Sequence, residues 1–277
     1  MTAVVRVDHD GRARWAVRRG DGLHGLAVGL ADLLAMPLDT ARAVCEQAGE
    51  PLVGSAAPLP PVDVQEVWAA GVTYQRSREG RREESGHAAL YDHVYDSDRP
   101  ELFFKSAADR VVGDGGPVGI RADSGWDVPE AELALVVNST GEIFGYTVGN
   151  DMSSRSIEGD NPLFLPQAKV YTRACALGPE IVPAWVAGPG PFEISVSVRR
   201  DGTECFAGTT STARMARGFA ELVDWLFRAL EFPAGMVLLT GTGLVPERGF
   251  TLRGGDIVDI DIAGIGRLRN PVTVVGR

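Results

Sequence analysis

The chain has 277 residues, 44% of them hydrophobic and 23% charged, and a formal net charge of −10. That is ordinary globular composition, enough for one large unit with a small companion. It excludes the basic face that nucleic acid requires, and three scattered cysteines (Cys45, Cys175, Cys205) exclude a disulfide framework or a paired-cysteine metal site.

The N-terminus lacks the apolar core of a signal segment, and no apolar run approaches the roughly 20 residues that span a bilayer. A soluble cytoplasmic protein without a membrane partner is expected. Val4–Val7 and Ala13–Val17 flank the turn residues Asp8-His9-Asp10-Gly11 and read as a hairpin. Ala31–Met36 reads as one helical turn stopped by Pro37. Asp39 is the expected cap of a short helix that Gly49 ends. GSAAPLPPVD reads as a linker, which divides the chain into a small α+β unit at 1–61 and a main unit at 62–277.

Val64–Ala70 reads as a strand. After it, Arg76, Arg78, Arg81 and Arg82 alternate with Glu79, Glu83 and Glu84. The pattern fits a solvated helix laced with ion pairs, or a lid that offers a guanidinium such as that of Arg76 to a substrate carboxylate. Arg99–Lys105 reads as a short strand with Glu101 and Lys105 at its solvent positions, and 106–129 as a loop with a strand near Val118–Ile120.

The centre of the chain is PEAELALVVNSTGEIFGYTVGNDMSSRSIEGDNPLFLPQAK, from Pro129 to Lys169. Glu130 and Glu132 lead an apolar run, and on a strand they share one face. The turn Asn138–Gly141 and a second run, Ile143–Val148, bring Asp151 back beside them. Two glutamates at this spacing also fit the solvated face of an antiparallel strand. Three carboxylates on one point suit a hard cation, Mg2+, Mn2+ or Ca2+, held by oxygen alone. The polar run containing Ser154, and Lys169, crowd the same turn.

Beyond it, Ile181–Pro191 reads as a Pro/Gly connection, Phe192–Arg199 as a half-buried strand, and Gly218–Leu230 as an amphipathic helix. Met236–Thr240 is a buried strand ending in Gly241-Thr242-Gly243, a turn that lets backbone approach a ligand and leaves the Thr242 hydroxyl available to donate. In DIVDIDI, Asp259 and Asp261 read as the outer face of a strand.

Three segments, DVPEAELALVV, GYTVGNDMSSRSIEGDNPLFLPQAKVY and GTGLVPERGFTLRGGDIVDIDIAGIGRLRNPV, resemble the fumarylacetoacetate hydrolase superfamily from about Val64 onward. SSRSIEGDNPLFLPQAK resembles its sugar-acid dehydratase branch. The resemblance implies a mainly β (α+β) fold, a mixed β-roll or sandwich with a small N-terminal α+β domain, and a homodimer or homotetramer. It implies Mg2+ on Glu130, Glu132 and Asp151. Acid–base work falls to Lys169 and Glu101, either of which can be the base, and substrate contacts to Thr242, Lys105, Arg76 and Ser154. The hydrolases carry a His and a Glu after G-x-N-Y; here the corresponding positions hold Ser77 and Gly80, which removes their water-activating base. The expected reaction is dehydration of a small 2-oxo acid, a 2-keto-3-deoxy pentonate. The alternatives are acylpyruvate hydrolysis or oxaloacetate-type decarboxylation, and a non-catalytic protein that binds metal or sugar acid.

Overall fold

A computed structural model describes residues 2–76, 93–247 and 249–277. Ser77, Gly80 and most of the charged segment considered as a lid lie outside the described residues. In chain order the first strands are β1 (Thr2–His9), β2 (Arg12–Arg19), β3 (Gly22–Gly25), β4 (Ala56–Pro58), β5 (Glu66–Gly71) and β6 (Glu101–Ser106). Then come β7 (Val118–Arg121), β8 (Asp127–Val128), β9 (Ala131–Val137), β10 (Ile143–Asp151), β11 (Ser153–Ser154) and β12 (Cys175–Pro183). The last are β13 (Glu193–Arg200), β14 (Thr203–Ser211), β15 (Met236–Leu239), β16 (Ile257–Ile262) and β17 (Gly266–Val275).

All but two form two large sheets, and β8 pairs with β11 in a two-stranded sheet of their own. A ten-stranded sheet runs β3-β2-β1-β12-β10-β9-β15-β5-β6, with β4 added against β1. A five-stranded sheet runs β14-β13-β16-β17-β7. Most pairings are antiparallel; β15 with β5 and β17 with β7 are parallel, so both sheets are mixed. This is the expected mainly β architecture. The sheets pack through alternate residues: Leu133 and Leu135 of β9 with Val196 and Val198 of β13, Ile260 of β16 and Leu268 of β17. The opposite face of the large sheet, with Ala134, Val136, Phe144 and Val237, is covered by Trp15, Leu30, Leu33 and Leu34 from the N-terminal region. Strand β9 is buried along its whole length because it is central and covered on both faces.

Several local expectations are corrected. Pro37, not Asp39, is the N-cap of helix Leu38–Glu46; its ψ of 144° keeps it outside the helix, and Asp39 sits in the first turn, where a carboxylate suits the helix dipole. The linker contributes β4, whose Ala56–Pro58 backbone extends the sheet beside β1. Residues 181–191 are not all connection: β12 continues to Pro183, because Ile181 and Val182 are buried between β1 and β10. Trp185 then lies in a short helix, its ring edge-on to Phe144 at 5.3 Å. The amphipathic helix is Phe219–Phe227, with Leu222, Val223 and Leu226 inward. Asp259 and Asp261 do lie on the outer face, lining one surface cleft while Ile260 and Ile262 are buried; Asp259 is covered there by Arg267, whose Nε donates to it at 3.1 Å.

Candidate active site

The β9–β10 hairpin brings the carboxylates together. Gly149 lies opposite Glu132 and Asn150 opposite Ala131, and the Asp151 N–H donates to the Glu130 carbonyl at 3.0 Å. Glu130, Glu132 and Asp151 then share one face of the sheet, each with an oxygen within 4.8 Å of the others. None is a solvated strand residue: their relative exposures are 3%, 1% and 1%.

Buried carboxylates need compensation, and three cations supply it. Arg155 Nη2 donates to Glu130 Oε1 at 2.5 Å. Lys169 Nζ donates to the other Glu130 oxygen and to Asp151 Oδ2, the latter at 3.2 Å. Lys105 Nζ meets Asp151 Oδ1 at 2.5 Å. Glu132 instead accepts from the backbone N–H of Gly241 at 2.6 Å. Burial, then the charges of Asp151 and Glu130, push the Glu132 carboxyl well above the usual range, and Lys169 opposes this. A dication would relieve that repulsion, and the donors are all hard carboxylate oxygens, so these residues fit Mg2+, Mn2+ or Ca2+.

Lys105 and Lys169 are linked. Lys105 lies on β6, and its Nζ also donates to the carbonyls of Met152 (3.0 Å) and Lys169 (2.5 Å). Lys169 is the last residue of helix Leu165–Lys169. One buried ammonium therefore fixes both a carboxylate and the backbone that carries the second ammonium. Alternate residues of β6 continue the row. Phe103 places its ring 5.7 Å from Lys169 Nζ, and Glu101 comes next, against Gly71. Gly71 makes room for that carboxylate, since a Cβ there would stand 2.1 Å from Glu101 Oε2.

The opposite wall follows β5. Val72 takes a φ of 52°, a left-handed conformation unusual for a β-branched residue. This turn sends Thr73 Oγ1 to the Thr240 carbonyl at 2.7 Å and buries Tyr74 beside Gly243. At Gly241, φ is +89° and a Cβ would stand 2.0 Å from Thr73 Oγ1, so glycine is required for its N–H to reach Glu132.

The expected site residues are distributed as follows. Glu130, Glu132, Asp151, Lys169 and Lys105 form one buried cluster, with Lys105 behind it and not at a solvent position. Glu101 lines a cleft of about 300 Å³ next to it. Arg76 lines a second cleft, of about 370 Å³, with Tyr74, Thr210 and Gly243. The Thr242 hydroxyl is engaged locally, bridging the N–H and carbonyl of Leu244. Ser154 donates to Ser124 at 2.8 Å and caps helix Arg155–Asp160 through Ile157 N–H. Sequence reasoning assigned no role to Arg155, to the Gly241 N–H or to Glu158, which is buried and accepts from Ser153 Oγ at 3.2 Å. The polar segment after Asp151 was the available signal for Arg155 and Glu158; a backbone donor leaves none.

The chain is similar to known proteins over most of its length. The family model for the fumarylacetoacetate (FAA) hydrolase C-terminal region matches residues 67–273. A Haloferax volcanii protein named probable 2-keto-3-deoxyxylonate dehydratase is 54% identical over 78% of this chain and 74% of its own length. The 2-dehydro-3-deoxy-D-arabinonate dehydratase of Saccharolobus solfataricus is 42% identical over 76% of this chain and 73% of its own. A solved 2-keto-3-deoxy-D-arabinonate dehydratase, complexed with magnesium and 2,5-dioxopentanoate, superposes with a TM-score of 0.88 at 32% identity, covering all of both chains.

Proposed function

The chain belongs to the fumarylacetoacetate hydrolase family, and from that premise we propose that it is a magnesium-dependent dehydratase acting on a 2-keto-3-deoxy pentonate to give 2,5-dioxopentanoate. The observation that carries this is the buried Glu130–Glu132–Asp151 cluster with Lys169 set against two of its members. Names of relatives at 54% and 42% identity support the same substrate class.

Glu130, Glu132 and Asp151 would hold the cation. When bound, it would polarise a 2-keto group, make the C3 protons more acidic and offset the charge that builds as one leaves. The protein's own groups carry the proton transfers. Lys169 Nζ, buried and aimed at the cluster, acts as the neutral amine and takes the proton from C3; Glu101, further along the β6 face and in its protonated form, gives a proton to the C4 oxygen, which departs as water. Lys105 positions Lys169 and Asp151, and Arg155 positions Glu130. Arg76, which lines the cleft beside Tyr74 and Gly243, is proposed with Thr242 and Ser154 as a substrate contact. Loss of water leaves a 3,4-unsaturated 2-oxo acid with an allylic C5 hydroxyl; loss of a C5 proton and protonation at C3 move the double bond to C4–C5, and that enol tautomerises to the aldehyde. The catalytic unit is placed at 62–277, although β1 and β12 join residues 1–61 to the same sheet. We also infer a cytoplasmic homodimer or homotetramer, as the family resemblance implies.

The test is incubation with a 2-keto-3-deoxy pentonate and Mg2+, with the aldehyde product trapped and weighed by mass spectrometry. The reaction should stop on chelation and resume on adding Mg2+. No loss of water from any pentonate isomer would sink the assignment.

A further inference from the structure

We infer that Glu158 is a specificity-determining residue whose carboxylate reads the hydroxyl-bearing tail of the substrate. The inference rests on the dehydratase reading above and names the residue that selects a sugar acid over a plain 2-oxo acid.

Two paths lead from the carboxylate cluster into the same cleft. The first is the β6 face, from Lys105 at Asp151, past Phe103 at Lys169, to Glu101. The second is helix Arg155–Asp160. Arg155 and Glu158 are its buried residues, and their three-residue spacing puts them on one face. Arg155 ends on Glu130, so Glu158 is carried about one turn further from the cluster. Both paths finish in the cleft of about 300 Å³, with Glu101 and Glu158 in its lining and Pro100, Pro162 and Leu165 supplying apolar wall. Ser153 Oγ, donating at 3.2 Å, orients the Glu158 carboxylate.

On the dehydratase reading the 2-keto carboxylate head belongs at the cation site among Lys105, Lys169 and Arg155, and the cleft receives the tail; besides the two glutamates the cleft carries His93 and Arg99, both exposed, with Arg99 stacked over Trp225. Neutral hydroxyls are what a carboxylate accepts from best, through charge-assisted hydrogen bonds. A 2-keto-3-deoxy pentonate carries two, on C4 and C5. With Glu101 assigned to the departing C4 oxygen, Glu158 supplies the acceptor that fixes the tail. A site that hydrogen-bonds a substrate hydroxyl discriminates strongly against an analogue that lacks it.

The experiment compares Mg2+-loaded wild type with Glu158→Gln, using the pentonate as substrate and 2-oxopentanoate, which lacks both hydroxyls, as a competitive ligand. The amide keeps the volume and removes the charge. KM for the pentonate should rise about tenfold or more with kcat changed far less, while inhibition by 2-oxopentanoate stays as in wild type. An unchanged KM, or equal weakening of both ligands, overturns the assignment and leaves the dehydratase reading standing. Wild type that dehydrates no pentonate overturns both. Should the variant not fold, wild type alone decides: it must bind the pentonate at least about tenfold more tightly than 2-oxopentanoate, and equal affinities refute the inference.

Discussion

Lys169→Met separates the chemistry of the site from its electrostatics. The replacement keeps the apolar stem and removes an ammonium set between Glu130 and Asp151. At the 3.2 Å separation from Asp151 Oδ2, the Coulomb attraction is about 5 kcal/mol for an effective dielectric of roughly 20. Removing the lysine also removes the cost of burying it, yet leaves two buried carboxylates short of a partner. Breaking such a pair costs about 3–5 kcal/mol. Glu130 keeps Arg155 and Asp151 keeps Lys105, so the low end, about 3 kcal/mol, is expected for the metal-free protein. Mg2+ at 100 times its Kd returns about 2.7 kcal/mol, because the cation replaces the missing charge. Turnover should fall at least ~100-fold at saturating Mg2+, while Mg2+ affinity is unchanged or tighter. Urea unfolding with and without Mg2+, calorimetric titration and a steady-state assay together read all three. Retained turnover, or a metal-free stability equal to wild type, would refute the reasoning. Lost Mg2+ binding would make Lys169 a structural residue instead.

Glu130→Gln and Asp151→Asn each delete a charged oxygen donor, so both should weaken Mg2+ binding and remove activity together; unchanged titration isotherms would exclude them as ligands. Gly71→Ala sets a methyl where the Glu101 carboxylate lies, 2.1 Å from Oε2, and should lower kcat by about tenfold or more with the Mg2+ isotherm intact; an unaltered kcat would show that Glu101 has no part in turnover. Burial pushes the Asp127 carboxyl up to about 6 from 3.8. Its folded state thus favours the proton, and the stability it contributes falls as pH rises from about 4 through about 6. Asp127→Asn should then be more stable than wild type at pH 8, by no more than about 3 kcal/mol, with the gain shrinking toward pH 4. Urea midpoints that differ equally at both ends would contradict this.

The carboxylate triad was legible in the sequence because two local rules coincide. Alternation puts Glu130 and Glu132 on one face, and a short turn at Asn138–Gly141 returns Asp151 to them. The strand Phe192–Arg199 and the helix near Phe219 were legible for the same reason, as each has a clean apolar period. What could not be read depends on contacts distant in sequence. Lys105 resembles any lysine on a short strand; it is buried only because β6, β10 and the end of helix Leu165–Lys169 meet around it. The separation of the N-terminal unit looked clean at its prolines, yet β1 finds its partner in β12 far down the chain. Glu158 sits in a polar run where most carboxylates face water, and only the helix register set by Ser154 turns it inward beside Arg155. The Gly241 N–H that holds Glu132 is a backbone group, and glycine in a turn is common enough to hide it.

A protein that removes water from a 2-keto-3-deoxy sugar acid, and neither hydrolyses nor decarboxylates a 2-oxo acid, will sort a mixed substrate pool. The decisive measurement offers the Mg2+-loaded protein 2-keto-3-deoxy pentonates, an acylpyruvate and oxaloacetate together and weighs every product by mass spectrometry. A pentonate should lose one water and yield 2,5-dioxopentanoate, while the other two compounds are recovered intact. Pyruvate released from the acylpyruvate, or carbon dioxide from oxaloacetate, with all pentonates untouched, would contradict the dehydratase assignment.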